Sequence, residues 1–70
     1  MHKVIIWETE EYRNIGESID YAMDFSDKED AINTANSLFN RYGYSVIEVE
    51  DSIGEVVYHI SIDAPTGERY

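Results

Sequence analysis

Three polar residues of the types found in a nucleophilic triad alternate along one predicted strand in the second half of the chain. They are His59, Ser61 and Asp63. Residues two apart on a strand stand roughly 7 Å from each other, which exceeds hydrogen-bonding distance. A triad also needs histidine between the other two groups, whereas serine is the central residue here. The sequence therefore predicts no nucleophilic catalysis, and we expect a protein that is not an enzyme.

Paired carboxylates and metal ligands point to no chemistry either. Glu48 and Glu50 share one strand face at a spacing that inverting glycosidases use, but a chain of 70 residues rarely encloses a sugar-sized cleft. His2 and His59 are too few for a structural zinc site, which takes four ligands, and the chain contains no cysteine. Its four glycines stand singly, so no phosphate-binding loop is present. We expect no metal and no cofactor.

The charge of the chain limits its partners. Fifteen acidic residues against five basic ones give a net charge of −10. Such a surface repels nucleic acid and anionic lipid, so we expect direct binding to neither. It suits a partner protein with a basic surface, or serves solubility alone. A hydrophobic fraction of 43% argues against disorder. No apolar run has the length of a membrane span or a signal peptide, and the cytoplasm is the expected location.

One helix is marked at both ends. Ser26 and Glu29 have the spacing of a reciprocal capping box. Apolar residues then recur at helical spacing as far as Tyr42, and Gly43 provides the usual left-handed stop. Since so short a chain has room for a single core, we expect this helix to cover it.

Four stretches have the apolar runs or alternation of strands: residues 3–8, 17–25, 44–50 and 55–63. Residues 9–16 read as a polar loop. The strands and the helix form one predicted domain over residues 1–63, and residues 64–70 are a predicted flexible tail. The order ββαββ predicts an α+β fold in which one helix packs on one face of a four-stranded sheet.

The order of the strands within the sheet is less constrained. The first and last strands are the more apolar, so we place them in the middle and parallel, in the order 2-1-4-3. A meander, 1-2-3-4, is the alternative. The favoured order resembles that of β-grasp folds, including the immunoglobulin-binding domain of protein G. The resemblance concerns the order of the elements alone, and fold does not imply function.

The sheet face away from the helix is predicted to be apolar at its centre. Because neighbours alternate along a strand, either Ile5 and Trp7 or Val4 and Ile6 face away from the helix, and we favour Ile5 and Trp7. An exposed apolar centre with a charged rim is typical of a protein-binding patch. The predicted partner-binding residues are Ile5, Trp7, Asp20, Tyr44, Val46, Glu48, Glu50, Val57 and His59, with Asp24 and Glu55 also on the rim. In the alternative, Trp7 packs beneath the helix.

Two functions follow from this predicted patch. The first is that of a small acidic adaptor or inhibitor that docks on a protein with a basic surface. Nucleic-acid mimicry, as in small phage inhibitors, is a narrower form of it, because carboxylates on alternate strand positions approximate the spacing of phosphates. The second is that of a structural homodimer that pairs sheet to sheet. A partner strand added to an edge strand, at residues 17–25 or 44–50, is a further variant of binding.

Overall fold

The computed structural model describes residues 1–7 and 19–70, with side chains for residues 1–7 and 22–70. The loop predicted over residues 9–16 lies outside the described residues. One helix packs on one face of a single sheet in this part of the chain, so the predicted α+β class is confirmed. The elements are β1 (His2–Trp7), β2 (Ile19–Phe25), α1 (Lys28–Tyr42), β3 (Val46–Glu50), β4 (Val56–Ser61) and β5 (Glu68–Arg69).

The strand order differs from both predicted orders. The sheet runs β2-β1-β3-β4-β5, and every neighbouring pair is antiparallel. β1 pairs with β3 and not with β4, so the sheet has no central parallel pair, and the resemblance to β-grasp folds does not extend to the sheet. The reason lies in β3, whose residues Val46, Ile47, Glu48 and Val49 are all buried. Its two glutamates suggested an edge strand, yet β3 occupies the centre of the sheet.

The last residues form a strand where the sequence predicts a loose tail. Glu68 and Arg69 pair with His59 and Tyr58, and the backbone N–H of Tyr70 donates to the carbonyl of Val57 at 3.0 Å. The sheet therefore has five strands in place of the predicted four.

The helix begins one residue later than the predicted capping box requires. Asp27 and not Ser26 is the N-cap, and its side chain makes no capping hydrogen bond. This places Glu29 at the second helical position, whereas a capping box requires the glutamate at the third helical position. At the other end Gly43 adopts φ 69° and its N–H donates to the carbonyl of Phe39 at 3.0 Å, which confirms the predicted stop. Tyr42, predicted on the core face, is 59% exposed.

The main core lies between α1 and the sheet. Two alanines on the helix, Ala31 and Ala35, are fully buried and let α1 approach the strands closely. Met23, Phe25, Leu38 and Phe39 are partly buried at its margin. The buried cluster consists of Val4, Ile6, Ala31, Ile32, Ala35, Ile47, Val49, Tyr58 and Ile60.

Candidate functional site

The sheet face away from α1, named the second face below, carries Ile5 and Trp7. Val4 and Ile6 belong to the core beneath α1, and Ile5 and Trp7 alternate with them along β1. Together with Val46, which lies opposite Trp7 on β3, they form a separate buried cluster. Trp7 therefore lies on the second face and not beneath the helix.

The apolar centre of the second face is buried and not open to solvent. The exposed fractions are 4% for Ile5, 8% for Trp7 and 1% for Val46. Docking of a partner requires accessible area, which these three side chains do not offer in the folded chain. This corrects the expectation of an exposed apolar patch, because alternation along a strand tells which way a side chain points but not what packs against it.

A buried carboxylate lies at the centre of the second face. Trp7 Nε1 donates to Glu48 Oε1 at 3.2 Å, and His59 Nδ1 lies 2.9 Å from Glu48 Oε2. Glu48 is 2% exposed and His59 is 8% exposed. A carboxylate removed from water needs partners of this kind, because an uncompensated buried charge is strongly destabilising. The arrangement is thus a structural network inside the protein.

Sequence reasoning placed Glu48 on a solvated rim and missed this network. Predicting this network requires the strand order. Because β3 lies between β1 and β4, one row across the sheet contains Ile5, Glu48 and His59. In the predicted order β3 was an edge strand, and the same glutamate had no reason to be buried.

Three predicted site residues whose side chains are described do not join the buried network. Tyr44 and Val57 are partly buried and pack against the core beneath α1. A bulge accounts for Val57, because Val49 pairs with Tyr58 and Glu50 with Val56, leaving Val57 between them without a partner in β3. Tyr44 precedes β3. Glu50 lies at the end of β3 and is half-buried. The side chain of Asp20 lies outside the described residues.

Most of the described acidic residues gather at one end of the fold. Lys3 on β1 pairs with both Asp24 on β2 and Glu50 on β3, and Glu50 pairs with Val56 on β4, so four strands meet there. The start of α1 follows β2 after two residues and joins them. This region, named the acidic end below, comprises Asp24, Asp27, Asp30, Glu50, Asp51 and Glu55. The basic side chains beside it are Lys3, Lys28 and Arg69, the last of which pairs with Glu29 in the first turn of α1.

A cavity of about 410 Å³ opens at the acidic end. Asp24, Glu50 and Asp51 contribute its carboxylates, and His2 and Lys3 also line it. The pKa of Glu50 is raised above its usual value, first by burial and then by the negative charge of Glu48. Burial disfavours the charged form of this carboxyl, and the nearby carboxylates of Glu48 and Asp51 add to the effect while Lys3 opposes it.

Asp51 has a structural role at the same cavity. Its Oδ1 accepts hydrogen bonds from the backbone N–H groups of Ile53 and Glu55, at 3.0 and 2.9 Å. These bonds build the turn between β3 and β4. The carboxylate of Asp51 therefore fixes the position of the turn that carries Glu55.

An exposed ion pair joins β5 to α1. Arg69 Nη1 and Nη2 each donate to one carboxylate oxygen of Glu29, both at 3.0 Å. This hydrogen bonding lowers the pKa of Glu29 and raises that of Arg69. The fork-to-fork geometry fixes β5 beside the start of the helix.

Neither a metal centre nor a membrane span is found in the described part of the chain. No group of three or more histidine, aspartate or glutamate side chains among these residues is arranged to hold a metal ion. Within residues 1–7 and 19–70, no helix has the length and apolar character that crossing a lipid bilayer requires.

Comparison with protein-family models, curated protein sequences and solved structures gives no significant match to this chain.

Proposed function

We propose that this protein is a small acidic interaction module, an adaptor or inhibitor, that binds a basic surface on another protein through its acidic end. The observation that carries the proposal is the meeting of β2, β3 and the start of α1 at one end, each contributing carboxylates. Grouped charges of one sign steer a complementary partner and raise its rate of association. The net charge of −10 gives the field its sign.

The carboxylates of the acidic end are available to a partner. Asp24, Asp27, Asp30 and Glu55 are exposed. The salt bridges among the described residues join Glu29 to Arg69 and Glu48 to His59, and neither uses a member of the acidic end. A basic partner therefore gains charge interactions without displacing either of the ion pairs that join described residues.

The second face favours this proposal over the sheet-to-sheet homodimer. Stable dimers bury an apolar surface that is exposed in the monomer. Ile5, Trp7 and Val46 are buried already, so they leave little apolar area for a second copy. Repulsion between two chains of the same high negative charge adds to the cost of self-association.

A matched pair of charge-reversal variants tests the proposal. Asp27→Lys/Glu55→Lys reverses two acids of the acidic end, and Asp63→Lys/Glu68→Lys reverses two exposed acids elsewhere. Both variants undergo the same change in net charge. Asp27 makes no side-chain capping bond, so its replacement removes no hydrogen bond from the helix start.

Each immobilised protein captures partners from a native extract, and mass spectrometry identifies them. We expect the wild type and the Asp63→Lys/Glu68→Lys variant to capture the same basic proteins. The acidic-end variant should fail to capture them. Equal retention by both variants, or equal loss, would contradict docking through the acidic end. Release of the captured proteins by duplex DNA would support the narrower hypothesis of nucleic-acid mimicry, and a dimer in analytical ultracentrifugation would favour the homodimer.

A further inference from the structure

β2 is one of the two edge strands of the described sheet. Among the described strands it pairs with β1 alone, without interruption from His2 opposite Phe25 to Ile6 opposite Tyr21. A strand paired on one side leaves every second N–H and C=O group pointing outward, where another chain can bind them. Residues 21–25 therefore present a regular backbone edge.

The opposite edge of the described sheet is formed by β5, which is only two residues long. β5 covers Tyr58 and His59, and the N–H of Tyr70 donates to the carbonyl of Val57. Farther along β4, the N–H of Ser61 donates to the carbonyl of Ala64 at 3.2 Å. The two edges thus differ, and the edge at β2 is the one suited to a partner strand.

A groove of about 360 Å³ lies beside the same edge, between β2 and α1. Its half-buried floor combines the end of the strand with one face of the helix, and its rim is polar and exposed. The helical residues fall at the spacing of a single helix face. The floor consists of Phe25, Thr34 and Leu38, and the rim of Asp30, Asn33 and Ser37.

The edge and the groove together fit an extended peptide. A strand added to β2 continues the backbone hydrogen bonding, and its side chains alternate between the two sheet faces. Every second side chain then points toward α1, where Phe25 and Leu38 offer apolar contact. A helix placed in the groove leaves the backbone edge unpaired, so it uses one of the two features only.

The negative charge around this edge favours a basic peptide over a second copy of this chain. Asp30 stands on the rim of the groove, and Asp24 and Asp27 lie at the end of β2 where it meets the helix. A second copy brings another net charge of −10 to this edge. A segment rich in lysine or arginine brings the complementary charge.

We infer that the edge at β2 and the adjoining groove bind an extended basic segment of the partner, which adds to the sheet as a sixth strand. Apolar side chains of that segment contact Phe25 and Leu38, and the lysine or arginine side chains between them point to the second face, where Asp24 alternates with Met23 and Phe25 along β2. This inference rests on the proposed function, and it names the part of the partner that is recognised.

A labelled octapeptide in which lysine alternates with valine is the probe. Its binding is measured by fluorescence anisotropy against the full chain. One control peptide has glutamate in place of lysine, and the other carries N-methyl groups on alternate amides, which removes backbone donors at unchanged charge. We expect the lysine peptide to bind and both control peptides to bind at least about tenfold more weakly, which corresponds to 1.4 kcal/mol.

Two lysine variants of the protein locate the binding. Ser37→Lys places a positive charge on the rim of the groove, and Asn40→Lys places the same charge at another exposed position of α1, outside the groove. We expect Ser37→Lys to weaken binding of the lysine peptide about tenfold and Asn40→Lys to leave it within about twofold. In NMR spectra, the peptide should shift the amide signals of residues 22–25.

Several results would overturn strand addition at β2. Equal weakening by Ser37→Lys and Asn40→Lys indicates diffuse attraction to an acidic surface, and equal affinity of the N-methylated peptide indicates that no backbone pairing occurs. Absence of binding overturns the inference as well. In each case the proposed function is judged separately, by whether the acidic-end variant loses partners that its matched control retains.

Discussion

Trp7 and Glu48 are linked across the two central strands of the sheet by a hydrogen bond from the indole nitrogen to a buried carboxylate, at 3.2 Å. Since His59 approaches the second oxygen of Glu48, the second face is held together by polar contacts at its centre. The face that the sequence marks for docking therefore contributes to the stability of the protein. The exposed charge lies elsewhere, at the acidic end.

Replacement of Glu48 should destabilise the fold. Glu48→Ala removes the acceptor of the Trp7 indole and the partner of His59 in a region closed to water. We expect a loss of about 2–4 kcal/mol in the free energy of unfolding, measured by urea denaturation. Asp63→Ala, an exposed control, should change stability by no more than about 0.5 kcal/mol. Equal stability of the two variants would show that the network does not contribute to the stability of the fold.

Replacement of Glu50 should stabilise the protein near neutral pH. The folded state raises the pKa of Glu50, so its ionised form is less favourable in the folded than in the unfolded chain. Glu50→Gln should therefore gain roughly 0.2–0.5 kcal/mol at pH 7, after allowance for solvent screening. The gain should vanish below about pH 4, where the carboxyl is protonated in both states. A gain in the free energy of unfolding that persists at low pH would show that packing, and not charge, causes the effect.

The ion pair between Glu29 and Arg69 should control the attachment of β5. The pKa of Glu29 is lowered in the folded state, so its contribution is present above the unfolded value and is lost as pH falls through the folded value. Glu29→Gln should speed hydrogen exchange of the Tyr70 amide, which donates to Val57, while amides of β1 and β3 stay unchanged. Acidification of the wild type should have the same local effect. Uniformly faster hydrogen exchange across the sheet would contradict a local role of this ion pair.

Gly67 should tolerate substitution less well than Gly54. Both residues have positive φ, 82° and 86°, so alanine strains the backbone at either position by roughly 1–2 kcal/mol. A Cβ at Gly67 also collides with the ring of Tyr58, whereas nothing lies within 4 Å at Gly54. The Tyr58 hydroxyl bonds to Asn36, which restricts its retreat. We expect Gly67→Ala to be less stable than Gly54→Ala by about 1–3 kcal/mol in thermal or urea unfolding, and equal losses would refute the steric account.

The sequence predicts the local features of this fold well. Gly43 marks the end of the helix, and alternation along β3 assigns Ile47 and Val49 to one face and Val46 and Glu48 to the other, as observed. These features depend on neighbouring residues alone. The same alternation predicts that Ile5 and Trp7 share a face, and the structure has them on the second face.

Features that depend on pairing between residues far apart in the chain could not be predicted from the sequence. Glu48 gives β3 the composition of an edge strand, although partners on β1 and β4 allow it to be buried. The bulge that removes Val57 from the second face appears only when β3 and β4 are aligned. The strand β5 is two residues long and leaves no pattern to detect. Strand order and burial, which decide the candidate site, therefore required the structure.

Quantitative capture of basic proteins by the two charge-reversal variants decides whether the acidic end is the docking surface. If the acidic end is the docking surface, Asp27→Lys/Glu55→Lys should lose most of the captured protein, while Asp63→Lys/Glu68→Lys, with the same net charge, should retain it. Equal recovery from the two variants would contradict the account, because net charge and not the placement of the carboxylates would then govern binding.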